Sequence, residues 1–212
     1  MEITGAIFDF DGTLFDSMPV WVGVREKFFN RLGITMTVND HTFFKGLYSS
    51  QALPLAIERF GLKLTYEEIL TLFFDYIGEL YLANSVPKND IIEFLEKLKA
   101  KGVKIGIATA SGEPAVKAAL EKFGMLDYFQ TIYSTYTVGV AKTESRVYDV
   151  VLEELGTDKA TTWVFEDALY AAKTAKMSGY KLVGIYDESE KRQDELKALA
   201  DIYIHNYAEI EL

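Results

Sequence analysis

Apolar and polar positions along the 212-residue chain follow two regimes. Short apolar runs recur near residues 3–9, 103–108, 131–134, 161–165, 181–186 and 202–205, each about the length of a buried strand. Amphipathic stretches lie between them, near 89–101, 114–123, 144–155, 168–178 and 189–200. Gly102, Gly124, Gly156 and Gly179 punctuate their ends, and Pro114 stands in a first turn. This alternation predicts an α/β fold built on a doubly wound parallel sheet. Residues 16–84 break the pattern. No convincing strand occurs there, while Ile69, Phe73, Ile77, Leu80 and Tyr81 recur on one helical face behind a Thr65-x-x-Glu68 capping box. The expected organisation is therefore a core of residues 1–15 and 85–212 with an all-helical insert, 16–84, joined through linkers near Phe15 and Pro87. Phe43, Phe44, Tyr48, Phe73, Phe74 and Tyr81 are expected to pack the insert's own core. The chain has no internal repeat and no low-complexity tract.

Composition narrows the function classes. Apolar residues make up 49% of the chain, enough for a packed interior. A formal charge of −10 disfavours a nucleic-acid partner. With no cysteine there is neither a disulfide nor a thiolate metal site, which is compatible with a reducing, cytoplasmic setting. Met1-Glu2-Ile3-Thr4 lacks a basic leader. The most apolar long stretch, Ile69 to Ala83, is interrupted by Asp75 and Glu79, so neither a signal peptide nor a membrane span is expected. Nothing indicates a protein partner.

The candidate chemistry gathers at strand ends. The first run closes as Asp9-Phe10-Asp11-Gly12-Thr13-Leu14-Phe15-Asp16-Ser17. Alternation along a strand lets Asp9 and Asp11 share one side while Phe8 and Phe10 point away. Two carboxylates about 4 Å apart repel by roughly 4 kcal/mol at an effective dielectric of 20, so the pair calls for a cation or a shared proton. Val103 to Ser111 ends in Thr109-Ala110-Ser111, and Lys142 stands ahead of a helix in Val140-Ala141-Lys142-Thr143-Glu144. Thr162-Trp163-Val164-Phe165 runs into Glu166-Asp167-Ala168, where buried carboxylates demand pairing or a metal.

In this order the four segments resemble the motifs of the haloacid dehalogenase-like hydrolases, most of which are magnesium-dependent phosphatases, and the resemblance spans essentially the whole chain. Thr143 departs from the Pro that usually follows the lysine, and Ala168 from the Ser that often follows the acidic pair. The resemblance implies that Asp9 is the nucleophile, forming an aspartyl phosphate, and that Asp11 is the general acid and base. It implies that Thr109, the Ala110 N–H and Lys142 bind the phosphoryl group. It also implies a Mg²⁺ site from Asp9, the Asp11 backbone carbonyl and Asp167, with Glu166 acting through a water. The insert then corresponds to the family's small helical cap, in which Lys45 is a candidate substrate contact. His41 and His205 are not placed for the chemistry.

The expected activity is hydrolysis of a small phosphorylated metabolite such as a sugar phosphate, phosphoglycolate or a nucleotide. A β-phosphoglucomutase-like activity is the first alternative, although such relatives carry a His where this chain has Trp21 and often DGV where it has DGT. A non-catalytic binding protein is the second, but no carboxylate has been lost. Family dehalogenases lack the second Asp, so Asp11 argues against that activity.

Overall fold

The computed structural model describes residues 2–212. From β1 (Gly5–Phe8) the chain passes through β2 (Phe15–Asp16) into α1 (Met18–Trp21), α2 (Val24–Arg31), α3 (Val38–Phe43), α4 (Ser49–Phe60) and α5 (Tyr66–Asn84), returning through β3 (Val86–Pro87). There follow α6 (Ile91–Ala100), β4 (Lys104–Thr109), α7 (Glu113–Lys122), β5 (Thr131–Ser134), α8 (Thr135–Val138), α9 (Arg146–Leu155), β6 (Thr162–Glu166), α10 (Leu169–Met177), β7 (Lys181–Ile185), α11 (Gln193–Leu199) and β8 (Ile202–Ile204).

Six strands pair in parallel in the order β5-β4-β1-β6-β7-β8, with helices packed on both faces. β1 is flanked by β4 and β6, with Phe8 opposite Ile107 on one side and Phe165 on the other. Because winding reverses beside β1, the crevice outside the carboxyl ends of β1 and β6 is the switch point at which such sheets bind ligands. Ile7, Phe8, Ile107, Val164, Phe165 and Val183 are buried in the central strands, as runs covered on both faces require.

The helical segment begins and ends at one place. Phe15 pairs with Pro87 and Asp16 with Val86, in a two-stranded antiparallel ribbon. Within it, Thr65 and Glu68 form the reciprocal capping box at the start of α5, and Ile69, Phe73, Ile77 and Tyr81 are buried. α5 also lies against α7 of the sheet layer, where Gly78 meets Ala115.

Two expectations need correction. The helix predicted from 189 begins at Gln193, because Asp187 takes up the intervening chain: its Oδ1 accepts from Ser189 N–H and its carbonyl from Glu190 N–H. Phe43 and Tyr48 are not in the core of the insert; they are 45% and 58% exposed. The Phe43 ring instead lies under the Arg59 guanidinium, 4.4 Å from its centroid. Among the described residues no helix is long and apolar enough to cross a membrane.

Candidate active site

Every element that carries candidate chemistry ends at the same edge of the sheet. Asp9 is the first residue beyond β1 and stays in register, since its N–H donates to the Phe165 carbonyl at 3.0 Å. That contact puts it beside Glu166, the last residue of β6, and Asp167 just after it. Lys142 arrives on the loop after β5 and α8, and its Nζ donates to Asp9 Oδ1 and to Glu166 Oε1, at 2.5 Å each. Only 3% of Lys142 is exposed, and Glu166 is fully buried. Glu166 Oε1 also accepts from the Tyr148 hydroxyl at 3.0 Å, while Asp167 Oδ1 accepts from Thr13 Oγ1 at 2.9 Å. Gly12 has φ +78°, and any side chain there would collide with the Asp167 carboxylate, so both conformation and space call for glycine.

Burial dominates the electrostatics. It raises the Asp9 carboxyl, to about 7, with Glu166 and Asp11 adding to the rise and Lys142 opposing it. Burial, followed by the charges of Asp9 and Glu166, pushes Asp167 well above the usual carboxylate range. For Lys142, burial works against the ammonium but Asp9 and Glu166 outweigh it, and the group is raised. One oxygen each from Asp9, Glu166 and Asp167 lies within 4.8 Å of the others. When all three are ionised, three negative charges face one ammonium, leaving two uncompensated. A donor set made only of carboxylate oxygens fits a hard divalent cation. Among the described residues, Glu166 accepts from Lys142 and Tyr148 on Oε1 and from the Ala168 N–H on Oε2 at 3.4 Å, whereas the Asp9 carboxylate accepts only from Lys142 and that of Asp167 only from Thr13, so Asp9 and Asp167 are the freer donors.

Asp11 stands apart from the cluster, inside a ring of donors. Its Oδ1 accepts from Ser17 Oγ at 2.7 Å, Trp21 Nε1 at 2.9 Å and the Tyr81 hydroxyl at 2.7 Å. Its Oδ2 accepts from Ser111 Oγ at 2.5 Å and lies 2.8 Å from the Tyr81 hydroxyl. Asp9, Asp11, Glu166, Asp167, Lys142 and Ala110 all line one cavity of about 830 Å³. Thr109 does not line it. The Thr109 side chain is buried, and its Oγ1 accepts from the Ser111 N–H at 3.0 Å, shaping the loop that presents Ala110 and Ser111.

The insert forms the opposite wall. Lys45 is exposed and is not part of it; Arg25 is, with terminal nitrogens donating to the Phe44 and Leu47 carbonyls at 2.6 Å each. These bonds fix the turn that brings Tyr48, Ser49 and Ser50 to the cavity. Tyr48 is thus exposed because it faces this space. Below it, the Phe74 ring rests on the bare backbone of Gly112, where a side chain would overlap it, and meets Tyr136 edge-on at 4.8 Å. His41 faces Glu26 on the surface and His205 stacks on Tyr186, both away from this wall. Sequence reasoning missed Ser17, Tyr81 and Ser111 as partners of Asp11. Only Ser17 carried a signal, six residues away within the same motif.

Residues 6–185 match the family model of haloacid dehalogenase-like hydrolases. The chain is 24% identical over 177 residues to a phosphorylated carbohydrates phosphatase of Thermotoga maritima, covering 84% of this chain and 82% of that protein. Among solved structures it resembles CbbY of Rhodobacter sphaeroides in complex with phosphate, with a TM-score of 0.80, 20% identity and coverage of 98% and 96%. It also resembles a beta-phosphoglucomutase of Clostridium difficile, with a TM-score of 0.73, 19% identity and coverage of 99% and 94%. Those two structural likenesses are likenesses of fold.

Proposed function

The chain belongs to the haloacid dehalogenase-like hydrolases as an enzyme of the phosphatase kind, and we propose that it hydrolyses the phosphomonoester of a small phosphorylated carbohydrate, with Mg²⁺ as cofactor. The observation that carries this reading is Asp9, a buried carboxylate on the cavity wall, with Oδ1 held by Lys142 and Oδ2 without a protein donor among the described residues. Asp9 Oδ2 attacks phosphorus as the bond from phosphorus to the alcohol oxygen breaks. Asp11 gives a proton to the departing oxygen. It then takes one from the water that splits the aspartyl phosphate, which restores Asp9 and releases inorganic phosphate. Lys142 favours the ionised nucleophile and, with the Ala110 N–H, offers partners to the phosphoryl oxygens, while Thr109 acts by shaping the loop that carries Ala110. Asp9, the Asp11 carbonyl and Asp167 would hold Mg²⁺, with Glu166 reaching it through water; the ion supplies the charge that offsets phosphate. In this reading residues 1–15 and 85–212 are the core, and 16–84 cap it.

The cavity supports a carbohydrate rather than a second acidic group. Its lining combines the aromatic residues Trp21, Tyr48 and Tyr170 with the hydroxyl-bearing Ser49, Ser50 and Thr135, a mixture that suits a body of C–H faces and hydroxyl edges. The cation on the insert wall, Arg25, already donates to two carbonyls. The relative from Thermotoga maritima is named for phosphorylated carbohydrates. A panel of sugar and sugar-alcohol monophosphates, nucleotides, phosphoglycolate and pyrophosphate tests the reading. The expected result is phosphate release with the highest kcat/KM on a sugar or sugar-alcohol monophosphate. A preference for nucleotides, phosphoglycolate or pyrophosphate would refute the carbohydrate assignment, and release from none of them would refute the phosphatase. The mutase alternative is tested with β-glucose 1-phosphate and a trace of glucose 1,6-bisphosphate. Trp21 donates to Asp11 and cannot shuttle a proton near neutral pH, so free phosphate should form faster than glucose 6-phosphate.

A further inference from the structure

Four donors converge on Asp11 from three separate parts of the chain. Ser17 and Trp21 belong to the segment just after the first motif, Ser111 to the loop after β4, and Tyr81 to the last turns of α5. The distances to Tyr81 and Ser111 span 70 and 100 residues of sequence. We propose that Tyr81 is a positioning residue for Asp11: its hydroxyl, carried in by the long helix of the insert, completes the set of contacts that aims this carboxylate at the leaving oxygen. The proposal rests on the phosphatase reading above, in which Asp11 is the acid and base.

The geometry separates Tyr81 from the substrate. Tyr81 is fully buried and does not line the cavity, whereas Asp11 and Ser111 do. It therefore acts from behind the carboxylate. Its ring is held by Phe10, with centroids 5.1 Å apart, and by Trp21 at 6.4 Å, so the hydroxyl has little freedom to follow a carboxylate that turns. A tyrosine hydroxyl has one proton, which serves one Asp11 oxygen at a time. Its oxygen is also 2.9 Å from Ser111 Oγ, so the two hydroxyls brace each other across the carboxylate. Burial and the neighbouring Asp11 raise the Tyr81 phenol well above its usual range, which keeps it protonated at every working pH. The three hydroxyls around Asp11 can turn to accept when the carboxyl carries a proton, while Trp21 can only donate. The arrangement holds Asp11 in place in both halves of the reaction.

If Tyr81 were only a satisfied core tyrosine, removing its oxygen would lower stability and leave chemistry alone. Tyr81→Phe makes that distinction in the full chain because it deletes one atom and keeps the ring. Turnover is measured on a sugar phosphate, whose alcohol leaves poorly without a proton, and on p-nitrophenyl phosphate, whose phenolate leaves without one. The expected result is a fall in kcat/KM of roughly tenfold or more on the sugar phosphate, part of the 10²–10⁴ that a positioned acid contributes. On p-nitrophenyl phosphate kcat/KM should change by less than about threefold, because kcat/KM reports the steps up to phosphorylation of Asp9 and not the hydrolysis that both esters share.

A second readout needs no catalysis. The chain has two tryptophans, and their indole N–H groups give two resonances in a ¹H–¹⁵N spectrum, assigned with Trp163→Phe. Trp21 bonds Asp11, whereas Trp163 bonds the Glu2 carbonyl at 2.9 Å and serves as the reference. Tyr81→Phe should move the Trp21 resonance and leave that of Trp163. An unmoved Trp21 resonance, an equal loss of kcat/KM on both esters, no loss on either, or a variant too unstable to fold would each overturn the proposal. Wild-type protein inert towards both esters would refute the phosphatase reading itself, and that is measured before the variant is made.

Discussion

Replacing Lys142 with Met keeps the stem of the side chain and removes its charge from between two buried carboxylates. Each contact spans 2.5 Å to an oxygen of Asp9 or Glu166. At an effective dielectric of 20, such a pair attracts by ~7 kcal/mol. Taking each ion out of water costs several kcal/mol, so the intact cluster contributes little net stability. Removing the cation alone is different, because two carboxylates stay buried without their counter-charge. The expected destabilisation is ~3–5 kcal/mol, a drop in Tm of roughly 6–20 °C for a chain of this size.

The deficit depends on pH in a definite direction. The Asp9 carboxyl is raised to about 7 in the folded wild type against 3.8 for a free aspartate side chain, so the folded state binds the proton more tightly than the unfolded chain does. Stability associated with Asp9 is therefore full below about pH 4 and is lost as pH rises through about 7. Lys142 limits that loss in the wild type and cannot do so in the variant. Urea denaturation of both proteins with a chelator present, at pH 5 and pH 8, checks this. The gap between them should be widest at pH 8 and narrower at pH 5, where protonation replaces the missing ammonium. A gap under about 1 kcal/mol at pH 8, or one that does not change with pH, would refute the reasoning.

The remaining expectations concern turnover. Asp9→Asn keeps the shape of the nucleophile and removes its charge, so phosphate release should fall by several orders of magnitude, as for nucleophiles elsewhere; near-wild-type turnover from a sample verified by mass would end the mechanism. Activity should vanish with EDTA and return with Mg²⁺, while Ca²⁺, which favours more ligands and looser geometry, should inhibit. Asp167→Asn should raise the Mg²⁺ concentration needed for half-maximal activity more than Glu166→Gln, because Glu166 is already committed to Lys142 and Tyr148. The reverse order in a Mg²⁺ titration would reassign the ligands.

How far the chain could be read before its structure depended on the range of each interaction. The six strands were legible because a strand covered on both faces must be an apolar run, and Asp9, Thr109 and Glu166 were legible because each ends or immediately follows such a run. The ribbon of Phe15 with Pro87 lies where helical periodicity replaces the alternation. The start of α11 was misplaced because local hydrogen bonds from one side chain, Asp187, overrode a helical pattern that was otherwise sound. Tyr48 was misplaced for a different reason: an aromatic residue in a helical insert reads as core, and only the fold creates the cavity it faces.

Tyr81 marks where that reading stops. Periodicity placed its ring on the buried face of α5, which is where the ring lies. Periodicity measures the apolar body of a side chain, however, and is silent about the hydroxyl at its tip. A buried hydroxyl must find a partner, yet the sequence holds 13 tyrosines and many carboxylates, with no rule of spacing to join one pair. What joins Tyr81 to Asp11 is the closure of a loop of about seventy residues by the β2–β3 ribbon and the packing of α5 on α7. That closure is a property of the fold alone. The carboxylates of the proposed chemistry are thus local to strand ends and legible there, while two of the four donors around Asp11, Tyr81 and Ser111, come from distant segments and become visible only when these are brought together.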